Sequence, residues 1–123
     1  MFDNCDNSNS KGNVGLGRCL AYLTQKGYIV SLPLNDSQKY DLIFDDGINL
    51  HKVQVKTTGQ FVNNCYRVKL ETCTHNYNSD FNSKSTNFLF ILCKDGSEYF
   101  IPSEEIKVKT ALNLSTKWDK YII

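Results

Sequence analysis

Apolar positions near the start of the chain recur with the spacing of a helix. They predict a helix over residues 14–26, and Gly27 follows where a left-handed cap is common. The apolar positions of this helix are Val14, Leu16, Cys19, Leu20, Ala21 and Leu23. Residues 1–10 are rich in Asn, Asp and Ser, so we expect a flexible N-terminal tail before a single domain over residues 11–123.

Stretches of β-branched, aromatic and alternating residues predict the strands. Residues 39–44 and 50–56 flank the turn sequence Asp45-Asp46-Gly47 and predict a β-hairpin. A continuous apolar run at residues 87–93 predicts a buried central strand. The other predicted strands are residues 28–32, 65–71 and 98–101. We therefore expect an α/β fold with a central mixed β-sheet flanked by helices.

The remaining segments carry loop, turn and terminal signals. Residues 72–86 are rich in Asn, Ser, Thr and Asp and predict a long exposed loop, which could contact a substrate or be disordered. Residues 102–106 predict a short helical turn with Ser103 as a possible cap. Trp118 and Tyr121 are expected to pack onto the sheet or to form a subunit contact.

Length and composition restrict the class of protein. The chain has 123 residues, of which 41% are hydrophobic, and this suits one compact domain. No apolar run approaches the ~20 residues that span a bilayer, and the first residues lack the pattern of a signal peptide. We therefore expect an intracellular protein, in the cytoplasm or at the nucleoid, with no membrane partner.

Cysteine usage and charge restrict the binding chemistry. The 5 cysteines are odd in number and contain no Cys-x-x-Cys pair, which indicates neither a disulfide framework nor a zinc knuckle. The formal charge is +1, from 14 Lys plus Arg against 13 Asp plus Glu. A protein that holds nucleic acid by bulk charge is far more basic. Any DNA binding must come from locally arranged cations.

Three polar residues of the predicted hairpin have the chemistry of a hydrolytic site. Alternation along residues 50–56 places Gln54 and Lys56 on one face, which Asp41 of the partner strand can share. A carboxylate and an amide oxygen are hard ligands for Mg²⁺, and a nearby Lys can orient or deprotonate water. This set favours phosphodiester hydrolysis. On pattern alone, however, a solvated strand face is the favoured alternative.

The order of motifs resembles that of the PD-(D/E)XK nuclease superfamily. After the helix come Gly27-Tyr28-Ile29-Val30, Pro33, Tyr40-Asp41-Leu42-Ile43 and Val53-Gln54-Val55-Lys56-Thr57-Thr58. In particular the chain resembles the subgroup of group I intron-encoded homing endonucleases and Holliday-junction-resolvase-like proteins. In that subgroup Gln replaces the acidic residue before x-Lys, as in Gln54-Val55-Lys56. The resemblance covers residues 11–106, and Tyr40-Asp41 stands where the superfamily has Pro-Asp.

The resemblance implies a restriction-endonuclease-like core and an endodeoxyribonuclease that depends on Mg²⁺ or Mn²⁺. Asp41 would be the main metal ligand, Gln54 a second through its side-chain oxygen, and Val55 a third through its backbone carbonyl. Lys56 would orient the attacking water or stabilise charge. The catalytic residues would then be Asp41, Gln54 and Lys56, and no covalent intermediate is expected.

One position departs from the family pattern. The family's first helix typically begins with Gly followed by a Glu that completes the metal site, whereas this chain has Gly15-Leu16. A leucine side chain cannot bind a metal. Asp6 and Glu71 are weak candidates for a substitute carboxylate. The alternative is a catalytically inactive DNA-binding or protein-binding module on the nuclease scaffold.

The expected partner is double-stranded or branched DNA. A homing-endonuclease-like activity is the first hypothesis, and a Holliday-junction resolvase is an alternative with the same chemistry on another substrate. A homo-oligomer, dimer or tetramer, is expected because one small domain offers one active site per strand to be cut. The candidates for DNA-phosphate contacts, with ordinary solvation as the alternative, are Lys11, Arg18, Lys39, Lys52, Arg67 and Lys69.

Other polar features have simpler explanations. Asp45 and Asp46 precede Gly47 and are typical turn formers. His51 and His75 have no metal-ligand spacing, so a His-based nuclease is not expected. The glycine-rich stretch at residues 12–17 lacks the flanking strand and Lys of a phosphate loop. It favours close backbone approach, to DNA or to a neighbouring subunit.

Overall fold

The structure, a computed structural model, describes residues 1–35, 39–74 and 77–123, with the backbone alone for residues 72–74 and 77–79. Its main helix, α1, spans Ser8–Gln25. The helix begins earlier than predicted because the Asn7 side chain accepts a hydrogen bond from the Ser10 N–H at 2.9 Å and caps the first turn. At the other end Gly27 has a φ of 82°, in agreement with the predicted left-handed cap.

The first residues of the chain pack against this helix. Phe2 is only 8% exposed and lies in the same apolar cluster as Cys19 and Leu23. Residues 8–10, which were expected to belong to the tail, are helical. The predicted boundary at residue 11 is therefore not a boundary of the packed structure, since burial of one aromatic ring extends the apolar core into this segment.

Five strands form the central sheet. In sheet order they are β1 (Ile29–Ser31), β2 (Leu42–Asp45), β3 (Leu50–Thr58), β8 (Phe88–Cys93) and β9 (Glu98–Pro102). β3 and β8 run parallel, and the other neighbours are antiparallel. The predicted hairpin is confirmed, with Leu42 opposite Val53 and Asp45 opposite Leu50. The expected α/β fold with a mixed central sheet is confirmed as well.

The chain between β3 and β8 builds a second layer. β4 (Phe61–Val62) pairs with β5 (Cys65–Lys69), and β5 also pairs with β10 (Ala111–Asn113). β6 (Thr72–Thr74) and β7 (Tyr77–Ser79) form an antiparallel pair where a loop was predicted, while residues 75 and 76 lie outside the described residues. The loop prediction is wrong for these strands, because backbone pairing can order a polar segment whose composition signals no strand.

Short 3₁₀ helices lie at Ser103–Glu105 and Thr116–Tyr121. The first confirms the predicted helical turn. Ser103 is its first residue rather than its cap, and among the described residues the buried hydroxyl has no hydrogen-bond partner. The second places Trp118 in the core at 6% exposure, which confirms the predicted packing onto the sheet.

The sheet separates two apolar cores. α1 covers one face, where Leu23 packs with Phe90 and Leu92. The second layer covers the other face, where Val68 packs with Ile91. That face carries strands and a 3₁₀ helix rather than a further α-helix, and packing from both sides holds the central strands in place. Within the described residues, no helix is long and apolar enough to cross a membrane.

Candidate active site

The candidate site lies where β2 separates from β3. The Asp41 N–H donates to the Val53 carbonyl at 2.8 Å, so backbone pairing continues up to this residue. Two residues further along β3, the Val55 N–H donates to Oδ2 of the Asp41 carboxylate at 2.7 Å. The side chain thus replaces a backbone acceptor, because β2 begins only at Leu42. This bond holds the Asp41 carboxylate in the fork between the two strands.

The backbone carbonyl of Val55 faces the same fork. In a β-strand the N–H and C=O of one residue point toward the same neighbouring strand. The Val55 carbonyl therefore points to the side on which its N–H meets Asp41. The fork brings together the carboxylate and the backbone oxygen that the family resemblance names as metal ligands.

Gln54 and Lys56 lie on the face of β3 that turns away from α1. They are in register with Leu89 and Ile91 of β8, whose side chains belong to the core beneath the second layer. Gln54 is 7% exposed. Lys56 is half-buried, and its Nζ makes a long contact of 3.5 Å with the Glu71 carbonyl oxygen. The predicted alternation of side chains along β3 is confirmed, because Val53 and Val55 belong to the core beneath α1.

Asp41 and Lys56 influence each other's charge. Although part of Asp41 is exposed, burial raises the pKa of its carboxyl, against the lowering effects of the Val55 N–H and of Lys56. Burial also lowers the pKa of the Lys56 ammonium; Asp41 opposes this shift and Lys69 adds to it. Exclusion of water thus disfavours both charges, and a cation beside Asp41 would stabilise its ionised form.

A hollow of about 290 Å³ opens between the Asp41 fork and the first half of α1. Leu16 lines this hollow together with Asp41 and Val55. The other lining residues are Ser8, Asn9, Gly12 and Asn13. The helix position that carries Glu in the family pattern therefore does face the fork, but in this chain it contributes a hydrocarbon side chain.

Asn9 and Asn13 line the hollow with their side-chain amides, although neither was among the site residues expected from the sequence. The helix was predicted to begin at residue 14, so neither amide was placed on it. A helix that begins at Ser8 puts residues 9, 13 and 16 along one face at spacings of four and three. The available signal was Asn7, a residue type that favours the N-cap position.

Gly15 allows α1 to approach β3 closely. A Cβ at this position would lie 2.6 Å from Cγ2 of Thr57 and 3.1 Å from Cγ1 of Val55. Ordinary contacts between carbon atoms are about 3.5–4.0 Å, so only glycine permits the observed approach. The predicted close approach in the glycine-rich stretch is thus found at Gly15. Its partner is a strand of the same chain, where DNA or a neighbouring subunit was expected.

The oxygen donors around the hollow suit a hard divalent cation. Mg²⁺ is held in proteins by one or two carboxylates and keeps several waters. Among the described residues, no three His, Cys, Asp or Glu side chains form a metal-binding group. The donors at the fork are instead the Asp41 carboxylate and the Val55 carbonyl. Burial, together with Asp41 and Glu98, raises the pKa of Cys19 to about 12, and this residue does not line the hollow.

The predicted DNA-contacting cations do not all lie near the fork. Lys52 Nζ is 5.3 Å from the ring centroid of Tyr40, the residue before Asp41. Lys69 is close enough to affect the pKa of Lys56. The remaining exposed candidates are Lys11, Lys39 and Arg67.

Arg18 lies near the edge of the sheet formed by β9, away from the fork. Its guanidinium pairs with the Glu98 carboxylate, and the Nε donates to Oε1 at 3.1 Å. Glu98 begins β9, which is three strands away from β2 and so roughly 14 Å from it. The pairing neutralises Arg18 at a distance from the fork and does not support the predicted DNA contact.

The carboxylates and histidine set aside in the sequence analysis form local structure. The Asp45 Oδ1 accepts the Gly47 N–H at 2.8 Å, and the Asp46 Oδ1 accepts the Ile48 N–H at 2.8 Å. The Asp46 Oδ2 lies 2.8 Å from the His51 Nε2. Both aspartates are thus turn formers, as predicted. His75 lies outside the described residues.

The two substitute carboxylates considered from the sequence are not found in the hollow. Neither Asp6 nor Glu71, both of which the structure describes, is among its lining residues. The Glu71 backbone carbonyl oxygen lies 3.5 Å from Lys56 Nζ. Neither residue therefore adds a carboxylate to the lining of the hollow.

Comparison with known proteins identifies the family and the fold. The family model for PD-(D/E)XK endonucleases matches residues 6–120 of the chain. The chain belongs to the PD-(D/E)XK endonuclease family. Among solved structures it is similar to a bacterial homing endonuclease, I-Ssp6803I, with a TM-score of 0.75 and 23% sequence identity over 88% of this chain and 78% of that one. No curated protein matches the chain.

Membership of the PD-(D/E)XK endonuclease family confirms the resemblance read from the motifs around Asp41 and Gln54. The similar fold of the homing endonuclease confirms the restriction-endonuclease-like core. The assignment of Leu16 to the position of the family's helix Glu stays a prediction.

Proposed function

We propose that this PD-(D/E)XK family member is a DNA endonuclease that hydrolyses phosphodiester bonds with Mg²⁺ or Mn²⁺. The observation that carries the proposal is the Asp41 carboxylate, held in the strand fork by the Val55 N–H at 2.7 Å and electrostatically coupled to Lys56. A carboxylate and a carbonyl oxygen at the fork can bind a hard cation and an ordered water, and an ammonium group on the neighbouring strand can bind a phosphate.

Each residue around the fork has its own role in the proposed reaction. Asp41 and the Val55 carbonyl hold the metal ion, and Gln54 is a further ligand through its side-chain oxygen. The ion, when bound, supplies polarisation of the phosphate and activation of water. Lys56 orients the attacking water or stabilises charge that develops on the phosphate. The water attacks phosphorus and loses a proton to solvent, while the bond from phosphorus to one sugar oxygen breaks and that oxygen takes up a proton from solvent. No covalent enzyme intermediate forms.

Double-stranded DNA is the proposed substrate, in the manner of a homing endonuclease, and branched DNA is the alternative. The similarity to I-Ssp6803I supports the first choice. Lys52, whose Nζ lies over the Tyr40 ring, and Lys69, which lowers the pKa of Lys56, are the proposed contacts to the phosphates of the bound strand. A matched pair of linear and four-way-junction substrates decides between the two DNA forms.

The proposed active species is a homodimer or homotetramer. One chain provides one candidate site, whereas cleavage of both strands of a duplex requires two. Exposed apolar side chains support self-association: Ile29 and Leu50 flank Asp45 across neighbouring strands, and each is 68% exposed. Light scattering measures the mass directly, and the mass of a single chain would contradict this part of the proposal.

The central test is nicking of supercoiled DNA in Mg²⁺. Asp41→Asn and Lys56→Ala should each reduce the cleavage rate by about 10²-fold or more, because they remove the main ligand and the charge beside it. Asp45→Asn and Lys107→Ala are matched controls that change the same residue types away from the fork, and they should retain activity. Equal cleavage by the wild type and all four variants would contradict the proposal.

A second candidate function, a DNA-binding or protein-binding module without turnover, is favoured by Leu16 alone. Leu16→Glu would return a carboxylate to the hollow that Asp41 lines. If the wild type is inactive, this variant should acquire metal-dependent cleavage while DNA affinity changes little. Cleavage by the unmodified protein at a rate comparable to that of Leu16→Glu rules out the second candidate.

A further inference from the structure

The hollow beside Asp41 contains more oxygen donors than the motif residues provide. Its lining includes the carboxamides of Asn9 and Asn13 as well as the carboxylate of Asp41. Carboxamide oxygens are hard ligands of the kind that Mg²⁺ and Mn²⁺ accept. A volume of about 290 Å³ also leaves room for the waters that such an ion retains.

Asn13 is the amide that lies nearest to the missing carboxylate along the helix. It precedes Leu16 by three positions, which is roughly 4.5 Å along the helix axis and nearly the same face. Asn9 lies two turns from Leu16, roughly 10.5 Å along the axis. Both residues are exposed at the hollow, so neither amide is enclosed by the fold. The helical spacing therefore favours Asn13 over Asn9.

The close contact at Gly15 restricts how far Asn13 can move from the strand fork. Glycine at this position lets α1 pack against Thr57 and Val55 at a distance that any other residue would increase. Asn13 is two residues away on the same rigid helix, and Val55 is the residue whose N–H holds Asp41. The amide and the carboxylate are thus attached to two elements that are fixed against each other.

We propose that the side-chain oxygen of Asn13 is the helix-borne metal ligand of this chain, in place of the carboxylate that Leu16 removes. The inference rests on the proposed function, in that it assumes a divalent ion at Asp41. The ligand set then contains one carboxylate and neutral oxygens. Such a site binds the free ion more weakly than a two-carboxylate site and depends more on substrate phosphates to complete its coordination.

The experiment measures Mn²⁺ binding to the DNA-free protein from the electron paramagnetic resonance signal of the unbound ion. Asn13→Ala should weaken binding by about tenfold or more, and Asn13→Asp should tighten it by a similar factor because it adds a carboxylate. Asn9→Ala should have a smaller effect. Gln25→Ala removes an amide from the same helix at a different hollow and should leave binding unchanged. Circular dichroism confirms that each variant is folded.

Asp41→Asn separates failure of this inference from failure of the proposed function. If Asp41→Asn binds Mn²⁺ as the wild type does, the metal site itself is misplaced. If Asp41→Asn loses binding while Asn13→Ala and Gln25→Ala both match the wild type, only the assignment of Asn13 is overturned. Where the wild type binds too weakly to measure, Asn13→Asp must create binding at millimolar Mn²⁺, and its failure to do so also overturns the assignment.

Discussion

A methyl group at position 15 would enter the closest contact between α1 and the sheet. In Gly15→Ala the new Cβ would lie 2.6 Å from Thr57 Cγ2 and 3.1 Å from Val55 Cγ1. Neither neighbour can simply turn aside, because both side chains are β-branched and stiff about χ1. Relief to an ordinary carbon contact requires the helix and strand to separate by about 1 Å.

Two opposing effects determine the change in stability. Crowding of this kind destabilises by about 1–3 kcal/mol, whereas alanine in a helix interior is favoured over glycine by about 0.8–1.0 kcal/mol. The net expectation for Gly15→Ala is a loss of about 0–2 kcal/mol in the free energy of unfolding. Gly17→Ala shows the helix preference alone, since a Cβ there meets nothing within 4 Å, and it should stabilise the protein.

The stability of the two variants is measured by urea unfolding. A double-mutant cycle of Gly15→Ala with Thr57→Ser tests whether contact with Thr57 causes the loss. Thr57→Ser removes the Cγ2 atom that the new Cβ would meet, so the crowding part of the Gly15→Ala loss should shrink in the double variant. Cleavage should fall as well, because a displacement of 1 Å in the helix moves the hollow lining away from Asp41, and such misplacement can lower rates by about 10²-fold.

If Gly15→Ala stabilises the protein as much as Gly17→Ala does, the contact of α1 with β3 has room for a methyl group. In that case the contact does not fix Asn13 relative to Asp41. Loss of stability that persists undiminished with Thr57→Ser would place the crowding at Val55 instead.

Two further predictions concern carboxylates in different environments. Asp41→Asn should raise the free energy of unfolding of the metal-free protein while it lowers the cleavage rate, because burial disfavours the ionised carboxyl and an amide oxygen can still accept the Val55 N–H. Urea unfolding in a chelator checks this, and a less stable variant would contradict it. The pKa of Asp46 is lowered from 3.8 to about 2 by the N–H groups of Asn49 and Ile48 and by His51, so its stabilising effect is present above pH 3.8 and is lost as the pH falls through about 2; acid unfolding of Asp46→Asn should lack this part of the pH dependence, and identical pH profiles for variant and wild type would show that the turn is not the source.

Features that depend on short stretches of chain could be predicted from the sequence. The apolar run at β8 and the turn at Gly47 follow from local periodicity and from backbone preferences. The placement of Gln54 and Lys56 on one face of β3 follows from the alternation of any strand. The start of α1 was misjudged because capping by Asn7 outweighs the low apolar content of the first helical turns.

Contacts between distant segments could not be predicted in this way. Arg18 pairs with Glu98, which is 80 residues away, and no pattern around either residue signals the partner. The β6 and β7 pair is similar, since the polar composition of the segment is typical of a loop while its backbone forms a ladder. In each case the packing of whole elements determines which residues become partners. Sequence periodicity contains no information about that packing.

The sequence by itself determined the family and the mixed sheet, because these depend on residue types at fixed local spacings. The trio of Asp41, Gln54 and Lys56 and the departure at Leu16 stay predictions from the same spacings. Only the tertiary structure decided that Leu16 faces the same hollow as Asp41 and that Asn13 lines it too. The physical reason is that the close helix-to-strand contact at Gly15, rather than any local preference, determines which side chains meet at the fork.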